Sequence, residues 1–238
     1  TMKILVALVS LLAFLLVTLP GPLYRFGVIE LGTAFAGFKY AVITGIAALV
    51  LLVIQVLFKR QSVTLVSAAV ATIFSLIAIT MPLSLVSTAN NVPAIHDIST
   101  DLSTPPEFVA IVPLRANAPN PVEYAGLATA VKQRSAYPEL QTLSYSQPKA
   151  EIVAAVEQAA SHLGWDLVNT DASDGLIEAT DATLWFGFKD DVVVRVEDNG
   201  DERLVDIRSK SRIGSSDLGK NAERIESFIV ELDKVLGE

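Results

Sequence analysis

The sequence contains no cysteine, which excludes disulfide bridges, thiolate nucleophiles and thiolate metal sites. Histidine is nearly as scarce. His96 and His162 are the two in 238 residues, so an imidazole-rich metal centre is excluded and only a carboxylate-based one is left open. Charged residues make up 18% of the chain against 51% hydrophobic residues, with a mean hydropathy of +0.48. That is too charge-poor for an ordinary soluble protein of this size. The shortage is local. Up to Asn90 the sole acid is Glu30, beside the basic Lys3, Arg25, Lys39, Lys59 and Arg60, whereas residues 91–238 hold the other 13 basic and 25 acidic side chains, a net charge of −12. An acidic domain repels a phosphate backbone, so nucleic acid is not an expected partner.

What the first ninety residues do have is apolar length. Ile4–Leu19 is apolar except for Ser10 and Thr18, and Pro20-Gly21-Pro22-Leu23-Tyr24 lacks the small-residue pattern of a signal cleavage site. The expectation is a retained first span over about 4–22, a second over about 40–58 closed by Lys59-Arg60, and a third over about 63–87. The spans are thus a three-helix bundle over 1–89, integral to the lipid bilayer. None has an ionisable residue at its middle, which points to an anchor or docking surface rather than an ion pathway. Lys3 and Lys59-Arg60 outweigh Arg25 and Lys39 with Glu30 in the short loops. The positive-inside rule then puts the N-terminus in the cytoplasm of a bacterial inner membrane, and three crossings put residues 90–238 outside, in a periplasm.

Residues 90–147 form a proline-rich segment, and its first part, up to residue 121, is punctuated by Pro93, Pro105, Pro106, Pro113, Pro119 and Pro121, which forbid a long helix and disfavour a central strand. Ile95, Ile98, Phe108, Val109, Ile111 and Val112 make this segment too apolar for a free tether, so it is expected to lie on the domain, with a short helix over Tyr124–Arg134 and a short strand or extended lead-in over Thr142–Tyr145. The core then occupies 148–238. Pro148 opens a helix whose apolar positions Ile152, Val153, Val156, Ala159, Ala160 and Leu163 recur at helical spacing up to Gly164. Trp165–Asn169, Leu176–Thr180, Asp191–Glu197 and Leu204–Ser211 alternate as strands, with turns at Asp174-Gly175 and Asn199-Gly200. A last helix, capped by Ser216 or Asp217, carries the stripe Leu218, Ala222, Ile225, Phe228, Ile229, Leu232 and Leu236. The fold expected is α+β, an antiparallel four-stranded sheet packed with two helices.

Several stretches also form a recognisable combination. His96-Asp97-Ile98-Ser99-Thr100-Asp101, Pro105-Pro106-Glu107-Phe108, Tyr137-Pro138, Gly187–Val196 and Asp206–Asn221 together resemble the domain-of-unknown-function family 1499 over roughly residues 90–236. The resemblance implies a location in the cell envelope and assigns no activity.

Three kinds of chemistry are worth weighing. Arg208 and Arg212 share one face of a strand, and with Ser209, Ser211, Ser216 and Asp217 they lie beside a helix start, a setting that suits a phosphate, lipid head group or carboxylate. The same arginines could instead pair with Asp97, Asp101, Asp190 or Asp191 in an internal network that pins the proline-rich segment to the sheet. His96, Asp97 and Asp101 could be an acid–base group, though structural hydrogen bonding is the simpler use. No Gly-x-Ser-x-Gly elbow, Walker loop or dinucleotide fingerprint occurs, and no cofactor or metal is called for. The leading expectation is a non-catalytic envelope domain that binds a partner protein or a small anionic or lipidic ligand. A hydrolase using His96, Asp101, Arg208 and Asp217 is the second, and an accessory subunit of a membrane transport assembly the third.

Overall fold

The computed structural model describes residues 2–237. Contacts divide the chain into two units, the residues up to Asn90 with Leu184–Gly187, and 91–183 with 188 onward.

The first unit is helical: α1 (Met2–Thr18), α2 (Pro20–Arg25), α3 (Leu31–Phe58) and α4 (Leu65–Asn91). Two of these, α3 and α4, are long and apolar enough to cross a membrane, in place of the three spans expected. The first falls short because the helix ends before Pro20-Gly21-Pro22, which starts a separate helix instead of extending it. Its 17 residues cover about 25 Å, less than the ~30 Å of a hydrocarbon core. Placing the following domain outside relied on an odd number of crossings, and two crossings remove that basis. Small residues set the packing. Gly45 of α3 lies so close to α4 that an added Cβ would come within 3.0 Å of the Ser75 carbonyl oxygen, the close approach expected where small side chains face each other in lipid. Outward, Ile43, Ile46, Val50 and Val53 leave α3 exposed and apolar. Gln55 donates to Ser62 Oγ at 3.1 Å and closes the turn between the two long helices. Trp185 and Phe186 belong to this unit, with Trp185 stacked on Phe38 at 5.6 Å between ring centroids.

The second unit holds a six-stranded antiparallel sheet with α5 (Leu127–Ala136), α6 (Lys149–His162) and α7 (Lys220–Leu236), where four strands and two helices were expected. The hairpins β3 (Asp166–Asp171), β4 (Leu176–Ala182), β5 (Lys189–Asn199) and β6 (Glu202–Ser211) run in the order β6-β5-β4-β3. Beyond β6 come two short strands from the proline-rich segment. β1 (Asp97–Ser99) pairs with Arg208–Lys210, and β2 (Leu143–Tyr145) pairs with Arg203–Val205, so together they cover the outer edge of β6 end to end. Each has three residues, too few for alternation to stand out, so β1 was not expected and β2 only as a short strand or extended lead-in over Thr142–Tyr145, outside the four-stranded sheet. The third helix is the short stretch foreseen near Tyr124–Arg134, shifted to 127–136 and packed near β1.

Alternation along the strands gives the sheet two different faces. Ile177, Ala179, Val192, Val194, Val196, Val205 and Ile207 meet Ile152, Val156, Ala159, Ile225, Phe228 and Leu232 of α6 and α7, and Trp165 stacks on Phe228 at 5.3 Å. The other face carries Glu178, Thr180, Asp191, Val193, Arg195, Asp206, Arg208 and Lys210, and residues 100–123 lie across it as a strap anchored by Phe108 and Ile111 on Val193.

Candidate functional site

The strap face is closed by charge. Arg208 donates through Nε and Nη2 to both oxygens of Asp97, at 2.9 and 3.0 Å, and its remaining donors go to the carbonyls of Pro106 (3.1 Å) and Val122 (3.0 Å). Lys210 reaches the same Asp97 at 3.0 Å and also bonds the Glu123 carbonyl. Burial draws the Lys210 ammonium below its ordinary value, against the opposing pull of Asp97. Asp191 receives Arg115 at 2.7 Å, Arg212 through two bonds at 2.7 and 2.8 Å, and the Thr180 hydroxyl at 2.7 Å. Asp206 takes the hydroxyls of Thr100 (2.9 Å) and Thr142 (2.6 Å) on one oxygen and Arg195 (3.0 Å) on the other. Glu178, fully buried, needs no cation: it accepts the backbone amides of Val109, Ala110 and Ile111 at 2.9, 2.6 and 3.2 Å. Asp97, Asp101, Glu178, Asp191 and Asp206 thus face Arg115, Arg195, Arg208, Lys210 and Arg212, and charge closes within the face. Such pairing is what burial of ions demands.

Aromatic rings complete it. The Arg208 guanidinium lies 4.9 Å from the Phe108 ring centre and 5.4 Å from that of Tyr124. Burial, with Asp97 adding to it, pushes the Tyr124 phenol up to about 12.

The candidate residues are therefore divided between the two faces. Ser209 and Ser211 look toward α7, where the Ser209 hydroxyl donates to Asn221 Oδ1 at 2.7 Å and Ser211 Oγ accepts from Asn221 Nδ2 at 3.0 Å. Asp190 is on that side too, with Asp181, and both are gripped by Arg224 at 2.7 and 2.8 Å. Asp217 serves the start of α7. Its carboxylate accepts the amides of Gly219 (2.8 Å) and Asn221 (3.0 Å), while Ser216 Oγ accepts that of Leu218 (3.2 Å). The amides that could have greeted an external anion are thereby satisfied from within. Burial raises the Asp217 carboxyl, helped by Asp190 and countered by those two amides. Leu218 takes a φ of 57°, directly before Gly219 at 82°, so this turn holds a branched residue in left-handed backbone.

Asp101 is tied to the amides of Ser103 (2.8 Å) and Thr104 (3.0 Å) and to Arg195 (3.1 Å). Burial works against its charge, but these partners outweigh it and hold the carboxyl below the usual range. His96 is half-buried and lowered, first by burial and then by Lys210, with Asp97 and Asp190 opposing. Among the described residues no hydrogen bond or ion pair joins any two of the side chains of His96, Asp101, Arg208 and Asp217. His162 pairs with Glu231 at 2.7 Å on the surface between α6 and α7. Among the described residues no group of three or more His, Asp or Glu side chains is placed to hold a metal ion.

A groove lies open beside this network. About 430 Å³ in volume, it runs between Thr100–Ser103 and the segment after α5, with Tyr137, Pro138, Leu140, Gln141 and Thr142 along the far wall and Arg134 beside them. Thr100-Asp101 and Tyr137-Pro138 of its lining stand in the family-like stretches of the sequence, but nothing there joins them into a groove, and Arg115, Glu178, Arg195 and Arg224 were likewise not foreseen as functional; a further hint was Lys132 and Arg134 on a helix without an acid.

A search of curated proteins returns no match. The family described as a protein of unknown function, DUF1499, matches residues 97–232, from the first residue of β1 into the last turns of α7. With more than half of the chain matched, and the match spanning the sheet, the strap and the helices that close it, this protein belongs to the DUF1499 family.

Proposed function

We propose that this chain is a non-catalytic binding protein held at a membrane of the cell envelope, and that its second unit takes a small anionic or lipid-like ligand. The observation that carries the reading is how the polar groups are spent. The charged side chains of the strap face are committed to one another or to backbone, as a scaffold would use them, and the open chemistry is a groove with a cation beside it. A groove of that volume is in the range that small ligands occupy. A hydrolase would need an acid–base pair within reach of a shared reacting atom. Among the described residues no hydrogen bond joins the side chains of His96, Asp101, Arg208 and Asp217, and the polar atoms of the last three are engaged elsewhere.

The test uses the full chain purified in mild detergent. Mass spectrometry of the denatured, extracted sample is expected to find an anionic small molecule retained near one per chain, and assays with ester, phosphoester, amide and glycoside substrates are expected to give no turnover. Turnover that disappears in a His96→Ala variant would overturn the reading.

A further inference from the structure

The domain is strongly acidic, yet α5 reverses the sign. Its sequence carries Lys132 and Arg134 and no acid, and among the described residues neither side chain has an ion pair or hydrogen bond. The reversal sits on a fixed support. Gln133, between the two bases, is fully buried; it donates to the Ser99 carbonyl at 2.6 Å and accepts the Ser99 amide at 3.0 Å, which locks α5 to β1. Arg134 is therefore presented by a helix that cannot roll.

Two further observations converge on Arg134. It lines the groove, where the carboxylate oxygens of Asp101 are already engaged by the amides of Ser103 and Thr104 and by Arg195, and those of Asp206 by Thr100, Thr142 and Arg195. An incoming anion there meets one unpaired guanidinium, while the nearest lining carboxylate, Asp101, already has its own donors. In the other direction, Leu127 is 78% exposed and Val131 58% exposed. With Arg134 they fall at i, i+4 and i+7, a single helical stripe about 10 Å long. Large aliphatic groups left in water in line with a free cation form an amphiphile's negative image.

We infer that the groove and the α5 stripe together bind one anionic lipid molecule, with its phosphate on Arg134, its polar head in the groove near Ser103, Gln141 and Thr142, and its chain along Val131 and Leu127. This rests on the reading of the domain as a ligand-binding module and gives that ligand a place and a class. A guanidinium is suited to the task because it can meet two phosphate oxygens at once.

Native mass spectrometry of the full chain in a maltoside detergent tests it, with octanoyl lysophosphatidylglycerol as the probe, octanoyl lysophosphatidylcholine as the zwitterionic comparator and glycerol 3-phosphate as the chainless one. The expected result is a one-to-one adduct with the anionic lipid that weakens about tenfold or more in Arg134→Ala and clearly in Leu127→Gln/Val131→Gln, with both comparators weaker. Because all three residues are exposed, unchanged melting temperatures serve as the folding control. An adduct unaffected by Arg134→Ala would overturn the inference while leaving a binding module in place. Glycerol 3-phosphate binding as tightly, with no effect of the stripe variants, would replace the lipid by a soluble phosphate and overturn it as well. Absence of any adduct, together with no retained molecule in the purified chain, would overturn the binding module itself.

Discussion

The same strands β4, β5 and β6 supply both faces of the sheet, yet the faces are closed in opposite ways. Toward α6 and α7 the seam is hydrocarbon, valines and isoleucines against Phe228 and Leu232. Toward the strap it is a set of ions and amides around a small apolar patch of Phe108, Ile111 and Val193. The difference teaches what kind of change each side tolerates. Hydrocarbon contact is non-directional and responds to volume, whereas a buried ion pair responds to the loss of one partner, because the other is left charged and unsolvated. A strap with five prolines between residues 100 and 123 cannot make a regular ladder. It can still be held in place by side chains that reach out from the sheet to its carbonyls and amides, as Arg208, Lys210, Arg212 and Glu178 do.

Substitutions of matched size on the two faces sharpen the contrast. Asp97→Asn keeps the shape and removes the charge that Arg208 and Lys210 share; it is expected to cost about 3–5 kcal/mol, read as a lowered melting temperature of the second unit by circular dichroism of the full chain. A loss below about 1 kcal/mol would show that the ions are not what holds the strap. Replacing Asp97, Arg208 and Lys210 together by leucine and methionine should not restore the parent's stability, because the carbonyls of Pro106, Val122 and Glu123 then lose their donors. Glu178→Gln comes next, at about 1.5–3 kcal/mol, since the amide group sets an N–H against amides that need an acceptor. On the helix side, Phe228→Leu should cost less, roughly 1.5 kcal/mol or under if neighbours repack, in the same melting experiment.

The smallest effect is one of pH. His96 is held below its ordinary value of 6.5 by burial and by Lys210 and Arg115, with Asp97 and Asp190 pulling the other way. The folded domain then binds fewer protons than the unfolded chain below that value, so stability falls as pH drops through it toward the lowered one. Melting curves recorded across this window should slope down toward acid for the parent and flatten for His96→Asn. An unchanged slope in the variant would assign it to other groups.

How much of this was legible in the sequence depended on range. The hairpins from Asp166 to Ser211 announce themselves through alternation and through Asp174-Gly175 and Asn199-Gly200, signals carried by neighbours in the chain. The strand β1 did not, because a strand of three residues has no period to read, and β2 was foreseen only as a short strand or extended lead-in over Thr142–Tyr145. The first span was overcounted for a related reason: apolar composition continued to Leu19, but Pro20 decided where the helix ended. In the charged face Arg208 and Arg212 stood out, with Asp97 and Asp191 among the partners weighed for them, whereas Arg115, which meets an aspartate 76 positions away, did not. Arg134 and its groove left almost no trace. What distinguishes that arginine is the lack of a partner, a property that belongs to the folded arrangement and to no motif.

The outer edge of β6, covered by β1 and β2, also fixes an order of events. The strap leaves the ribosome long before the strand that receives it, and the amide of Ile207 closes onto Thr100 across 107 positions of chain. Until β6 is complete, β1 has no strand to pair with, and Asp97 lacks both Arg208 and Lys210. Such long-range closure slows folding, so the nascent chain passes through an interval in which the earliest segment of the second unit is both unprotected and indispensable. The first part of the domain to be made is thus the last to be finished.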